Sequence, residues 1–180
     1  VGSGRTGGTN AMRAGGLGAG VMTAIGDMLK GLIAVVIMRW LSGGVPEIEA
    51  LAGLGAVAGH NWSVFMGFKG GAGTAPNIGA CIVFWPLSAL WLVPMVPLGV
   101  FVVGYASVTS LVIAAVIPIT LALRAAAGLT SWVYVWYGVA AALLVVLALR
   151  PNIKRLLNGT EPRAPRPGRR AQPATEPKSH

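Results

Sequence analysis

Residues 75–123 read APNIGACIVFWPLSALWLVPMVPLGVFVVGYASVTSLVIAAVIPITLAL. No Asp, Glu, Lys or Arg occurs from Gly70 to Leu123, and none occurs from Ala125 to Leu149. A helix that crosses a bilayer needs about 20 mostly apolar residues, whereas soluble domains carry roughly 25% charged residues. Of the 180 residues here, 11% are charged and 54% hydrophobic. Mean hydropathy is +0.70. The chain therefore reads as an all-α, polytopic helical membrane protein, with the lipid bilayer as its first partner. The single cysteine, Cys81, sits inside an apolar run and supports no disulfide framework.

Two divisions of 75–123 compete. One gives two long helices turning at Pro94–Pro97. The other gives three short helices turning at Phe84–Pro86 and at Gly104–Ser110. Basic residues collect on the cytoplasmic side of a membrane. With Arg5 and Arg13 in a first cytoplasmic segment, only the three-helix division returns the basic C-terminal region to that side. Each helix then has roughly 16 residues, short of the usual span.

The expectations around this stretch follow in chain order. Val1–Gly16 is a glycine-rich loop, and Leu17–Leu41 is the first apolar helix. Asp27 and Lys30 stand three apart on one face of that helix and are expected to point into the bundle, because intramembrane charges avoid lipid. Ser42–Glu49 is an acidic loop for the outer face, and Ala50–Ala58 is a short helix. Thr130–Leu149 is the last helix, entered by an aromatic belt of Trp132, Tyr134, Trp136 and Tyr137. Arg150–Glu161 reads as a basic amphipathic segment on the membrane surface. In all, about six short transmembrane helices with cytoplasmic glycine-rich loops make one unit, 1–161. A disordered, basic, proline-rich cytoplasmic tail, 162–180, follows. The chain opens at Val1 inside a glycine-rich segment, so a piece lacking its natural N-terminus is expected.

The formal net charge is +9, and over half of the Lys and Arg lie from Arg150 onward. A nucleic-acid-binding domain would instead show a basic face on a folded unit, so no nucleic-acid partner is expected.

Two glycine-rich segments carry the candidate chemistry. In Gly59–Ala75, His60 is followed by Trp62–Phe68 and then by Lys69-Gly70-Gly71-Ala72-Gly73. Successive backbone N–H groups in such a run can turn inward as a nest for an anion, and Lys69 adds a point charge. In Val1–Gly16, Ser3, Gly4, Arg5, Thr6, Thr9, Asn10 and Arg13 bring hydroxyls, backbone N–H groups and guanidinium, which suit phosphate. Neither segment matches the P-loop or the dinucleotide fingerprint.

Three segments together resemble the motifs of the acyl-phosphate-dependent glycerol-3-phosphate acyltransferases, the PlsY family. They are Gly2-Ser3-Gly4…Gly7…Thr9-Asn10…Arg13, Gly59-His60…Phe65…Phe68-Lys69-Gly70-Gly71…Gly73, and Asn152-Ile153…Arg155-Leu156-Leu157. Gly26-Asp27…Lys30-Gly31 and the Tyr105…Ser107…Ser110 turn are similar too, and the resemblance runs from Val1 to about Glu161. It implies seven helices, the first absent here, and transfer of a fatty acyl group from acyl phosphate to the 1-hydroxyl of glycerol 3-phosphate. It implies no metal or nucleotide cofactor and a site facing the cytoplasm at the cell (inner) membrane. On the same ground Ser3, Arg13 and Asn152 are expected to be catalytic. Gly4, Asn10, His60, Lys69, Gly70, Gly71, Gly73 and Ser110 are expected to bind substrate.

Departures from the family pattern are Arg5 in place of asparagine, Ala72 in place of lysine, Ser63 in place of proline, Gly104 in place of a basic residue and Leu149 in place of histidine. They keep a second reading open, a non-catalytic relative that binds phospholipid or phosphate. A third, a small transporter subunit with Asp27 and Lys30 in its pathway, lacks the internal repeat such proteins use.

Overall fold

The computed structural model describes residues 5–164. Ser3, Gly4 and residues 165–180 of the expected tail lie outside the described residues.

The N-terminal segment departs first from expectation. Helix α1 covers Gly8–Ser42 and breaks at Gly16, whose φ of 80° lies in the left-handed region that favours glycine. The arm 8–15 folds back along the helix after it. Gly8 lies against Gly20 and Ala24, and Gly20 lies against Met12. In a straight helix, Gly8 and Ala24 would be about 24 Å apart. Small residues along the seam let the two arms touch. Asn10 and Arg13, expected on a loop, therefore stand on a helical arm.

Helix α2, Pro46–Asn61, starts with Pro46 in its first turn, where a missing N–H costs nothing. This draws Glu47 and Glu49 into the helix and corrects the loop expected there. Glu49 is buried and accepts from Arg39 Nε and Nη2 (2.8 and 2.6 Å) and from the Tyr134 hydroxyl (2.9 Å). An acid read from its charge as an outer-face residue is a buried packing pair, because Arg39 comes over from α1 to meet it.

Between residues 74 and 126 the chain forms three helical stretches. Helix α3, Thr74–Phe84, has 11 residues and is almost wholly buried. Helix α4, Ala89–Leu98, lies between a 3₁₀ turn at Pro86–Ser88 and a π turn at Gly99–Val103. Helix α5 covers Ala106–Ala126. Pro94 and Pro97 stay inside α4, so no turn falls there. The second break is confined to Gly104–Tyr105, and Ala106–Ser110 begins α5 rather than forming a loop.

At about 1.5 Å per residue, α3 is roughly 16 Å long, shorter than an ordinary lipid-facing span. It sits instead at the centre, packed on α1, α2, α5 and α6. Gly31 lies against the Pro76 backbone and Gly79 against the Met28 backbone. These two glycines let α1 and α3 cross at backbone contact.

Helix α6, Trp132–Leu157, runs on through Arg150 and Pro151, so the expected separate surface segment is its last turns. Only Trp132 and Trp136 of the expected aromatic belt are exposed. Tyr134 and Tyr137 are buried, and the Tyr137 hydroxyl donates to Asn77 Oδ1 at 2.7 Å.

Among the described residues there are six α-helices and no strand. Four stretches are long and apolar enough to cross a membrane: Gly8–Ser42, Pro86–Val103, Ala106–Ala126 and Trp132–Leu157. The helices are thus unequal, not uniformly short. Val35, Ile78, Leu92, Ile113, Ile117 and Tyr137 form the heart of the core around α3.

Candidate active site

The α1 hairpin, the loop after α2, the start of α5 and the end of α6 enclose a cavity of about 710 Å³. One part of its wall is polar, with Arg5, Asn10, Arg13, Asp27, His60, Ser107, Ser110, Asn152 and Glu161. The other part is apolar, with Leu17, Val21 and Ile25 from α1 and Val93, Val96 and Val100 from the α4 stretch.

Arg5 joins segments that are far apart in sequence. Its Nε donates to Asn152 Oδ1 and its Nη1 to the Gly71 carbonyl, both at 2.9 Å. Asn10 Nδ2 donates to the Arg5 carbonyl at 2.7 Å. Arg13 donates through Nη1 to Asn10 Oδ1, and through Nη2 to the carbonyls of Pro162 (3.3 Å) and Arg163 (2.9 Å). The structure therefore brings together Asn10, Arg13, Gly71 and Asn152, with His60, Gly73 and Ser110 on the same cavity wall.

Glu161 closes this polar wall. Its Oε1 accepts from the Ser107 hydroxyl (2.9 Å) and Asn152 Nδ2 (2.8 Å), and its Oε2 accepts from Arg155 Nε (2.8 Å). Burial pushes this carboxyl up. The hydrogen bonds from Asn152, Arg155 and Ser107 outweigh that and hold it below the usual glutamate value. Beyond it, Ala164 N donates to the Gly104 carbonyl at 2.7 Å, so residues 162–164 lie against the mouth of the site. Neither Glu161 nor its donor Ser107 was among the expected site residues. The available sign was that Glu161 is the only acid between Glu49 and Glu176.

The glycine-rich loop differs from the expected nest. Gly70 N donates to the Asn61 carbonyl and Gly71 N to the His60 carbonyl, both at 3.1 Å. These N–H groups satisfy the end of α2 and do not face an anion. Glycine is needed there for space, because a Cβ on Gly71 would strike the His60 ring and the Thr6 carbonyl. Lys69 is exposed and does not line the cavity. The anion-suited feature is the next one along. The N-terminus of α3 opens on the cavity at Gly73, Thr74 and Ala75, where free N–H groups and the helix dipole favour negative charge. Thr74 Oγ1 is buried there without a hydrogen-bond partner among the described residues.

Asp27 is buried, as expected, but Lys30 is not. Lys30 Nζ lies 2.8 Å from Asp27 Oδ1, yet 66% of its side chain is exposed. The inward partner of Asp27 is His60, whose Nδ1 lies 3.5 Å from the same oxygen. The pair expected to face inward together is thus a chain running Lys30–Asp27–His60 from the outer surface of α1 to the glycine loop. No cluster of metal-ligating side chains occurs among the described residues.

A multi-pass helical bundle holding an amphipathic cavity, with two guanidinium groups and a helix N-terminus at its polar wall, defines a membrane protein built for a ligand with an anionic head and an apolar tail. The family model described as glycerol-3-phosphate acyltransferase matches residues 1–159. A glycerol-3-phosphate acyltransferase of Geotalea daltonii is 44% identical over 162 residues, covering 89% of this chain and 80% of that protein. Glycerol-3-phosphate acyltransferase 2 of Moorella thermoacetica is 41% identical over 160 residues, covering 89% and 79%. The crystal structure of PlsY, an integral membrane glycerol 3-phosphate acyltransferase, in its glycerol 3-phosphate form superposes with a TM-score of 0.78 at 34% identity, covering 92% of this chain and 80% of that one. The lysophosphatidic acid form of PlsY gives 0.77 at the same identity. The chain belongs to the glycerol-3-phosphate acyltransferase family, and it is a multi-pass membrane enzyme of acyl transfer.

Proposed function

We propose that this chain transfers a fatty acyl group from acyl phosphate to the 1-hydroxyl of glycerol 3-phosphate, giving lysophosphatidate and inorganic phosphate. The supporting observation is the two-part cavity wall. A phosphate head fits among Arg5, Arg13 and the α3 N-terminus, and an acyl chain fits between α1 and α4. The relatives' names and the ligand forms of PlsY point to the same acceptor and product.

The chemistry asks little of the protein beyond placement. The glycerol hydroxyl oxygen attacks the acyl carbon, the bond from that carbon to the phosphate oxygen breaks, and the hydroxyl proton leaves with the phosphate or to water. The donor is already activated, so no enzyme nucleophile is required. Holding both substrates in line supplies proximity, and fixed cations stabilise the charge that grows on the departing phosphate. In this reading Arg13 and Asn152 act at the reacting groups, and the family resemblance assigns Ser3 a catalytic role as well. Asn10, Gly73 and Ser110 line the substrate space, and His60, Gly70 and Gly71 shape the loop that bounds it. The site faces the cytoplasm of the cell membrane, because Arg150, Lys154 and Arg155 crowd the end of α6 that carries Asn152.

The test is an assay of the protein in lipid with acyl phosphate and glycerol 3-phosphate, reading phosphate release and lysophosphatidate together. Release that requires both substrates is the expected result. Phosphate release independent of glycerol 3-phosphate, or none at all, would overturn the proposal.

A further inference from the structure

The arginines on the cavity wall differ from the cations held in ion pairs. Arg39 donates to the Glu49 carboxylate, Arg155 to the Glu161 carboxylate and Lys30 to the Asp27 carboxylate. Arg5 and Arg13 donate only to neutral acceptors: Gly71 O and Asn152 Oδ1 for Arg5, and Asn10 Oδ1, Pro162 O and Arg163 O for Arg13. Both are partly buried and both line the cavity. The nearest carboxylate, Glu161, bonds neither of them and is already shared by Ser107, Asn152 and Arg155, so an incoming anion would meet two guanidinium groups with no carboxylate of their own. Two such guanidinium groups face a site whose reaction brings two phosphates.

Arg5 is the one the family pattern does not supply, and its setting says what it does. Nε and Nη1 are committed, so the guanidinium plane is fixed by two rigid acceptors. Its remaining nitrogen, Nη2, has no protein partner among the described residues. The residue it grips, Gly71, lies two positions before Gly73, the residue that caps α3, and Thr74 adds to the same cavity a hydroxyl without a partner among the described residues. Burial, together with the nearby Arg155, holds the Arg5 guanidinium below the ordinary arginine value, and the nearby Glu161 offsets this only in part.

We propose that Arg5 is a substrate-binding residue whose guanidinium, with the N-terminus of α3 and the Thr74 hydroxyl, seats the phosphomonoester group of one substrate, leaving Arg13 for the other. Through the same side chain, the phosphate is tied to Asn152 on α6. This rests on the proposed acyl transfer only for the identity of the substrates, since an anion seat at Arg5 can be measured without turnover.

The experiment uses the protein in lipid vesicles, as wild type, Arg5→Gln and Arg5→Lys. Equilibrium binding of inorganic phosphate is measured first, then KM and kcat for each substrate. Loss of a charged hydrogen bond to phosphate corresponds to about ten- to a hundredfold. Arg5→Gln is expected to weaken phosphate binding by at least tenfold and to raise KM for one substrate alone by a similar factor. Arg5→Lys is expected to recover part of both. A rise confined to glycerol 3-phosphate assigns the seat to the acceptor, and a rise confined to acyl phosphate assigns it to the donor. Unchanged phosphate affinity with both KM values intact would overturn the assignment, even if kcat or thermal stability fell, because Arg5 would then be only a clamp between two loops. If the wild type binds phosphate through Arg5 yet transfers no acyl group, the proposed reaction fails and the anion seat stands.

Discussion

Glu161 shows how one side chain can hold a site's shape from outside the helices. Its carboxylate gathers Ser107 from α5 and Asn152 and Arg155 from α6, and the backbone after it is held by Arg13 from α1. A carboxyl whose folded value is depressed contributes stability above its ordinary value, about 4.3, and loses it as pH falls through the depressed one. The thermal midpoint of the wild type should therefore drop as pH falls from about 5 towards 3. Glu161→Gln should start lower at neutral pH, by on the order of 1–3 kcal/mol for the donors left unmatched, and should lose less on acidification. An acid loss as steep in the glutamine variant would mean that another group sets it. At this scale the sequence was informative where a polar residue interrupts apolar or glycine-rich context, as at Asn10, Arg13, His60 and Asn152. It offered for Glu161 only its isolation as an acid, because an acid closing a basic surface segment looks solvated until residues 162–164 are seen against the site. Lys69 misled for the opposite reason: its neighbours Gly70 and Gly71 spend their N–H groups on the end of α2, which no local pattern reveals.

The element that places the arginines is the hairpin at the start of α1. Gly8, Gly15 and Gly16 fall in the segment expected as a loop, the ordinary meaning of such a run in water, and Gly20 falls in the helix expected after it. In a membrane protein the same composition can be a seam, where small residues let helices touch. Only Gly16 carries the turn itself, at φ 80°. A Cβ there should cost about 1–2 kcal/mol, so Gly16→Ala should lower thermal stability measurably and activity modestly. Gly20→Leu should act differently. It faces Met12 and the Gly8 carbonyl, so a larger side chain would prise the arm away and take Asn10 from the Arg5 carbonyl and Arg13 from the carbonyls of Pro162 and Arg163. Activity should fall by more than about tenfold, the loss expected when charged phosphate contacts go, while helix content by circular dichroism stays near that of the wild type. Full activity in Gly20→Leu would mean that the closed hairpin is not needed for catalysis.

On the scale of the whole molecule, hydropathy alone was enough for an all-helical membrane bundle, because no soluble packing explains uncharged runs as long as 70–123. Hydropathy did not distinguish a lipid-facing span from a helix sheltered by its neighbours. Helix α3 is as apolar as its neighbours, and its 11 residues are covered by other helices rather than by lipid. The apolar wall of the cavity bears on how acyl chains are chosen. Val21 and Ile25 of α1 and Val93 of the α4 stretch line it and are exposed, and α1 and α4 scarcely touch, so the expectation is that the groove opens to lipid between them. A chain entering from water would gain about 0.8 kcal/mol per buried methylene, roughly fourfold in kcat/KM for each. A chain entering from the bilayer leaves surroundings as apolar as those it reaches, so that gain disappears and only shape can discriminate. Donors supplied in vesicles should accordingly give kcat/KM values that change far less than fourfold per methylene. Val21→Trp, which narrows the groove, should then impose a length limit, slowing long-chain donors while short-chain donors and the KM for glycerol 3-phosphate stay close to wild type. A fourfold rise per methylene with vesicle-supplied donors would mean that the acyl chain arrives from water. Equal slowing of every donor by Val21→Trp would mean that the space between α1 and α4 is not where the chain lies.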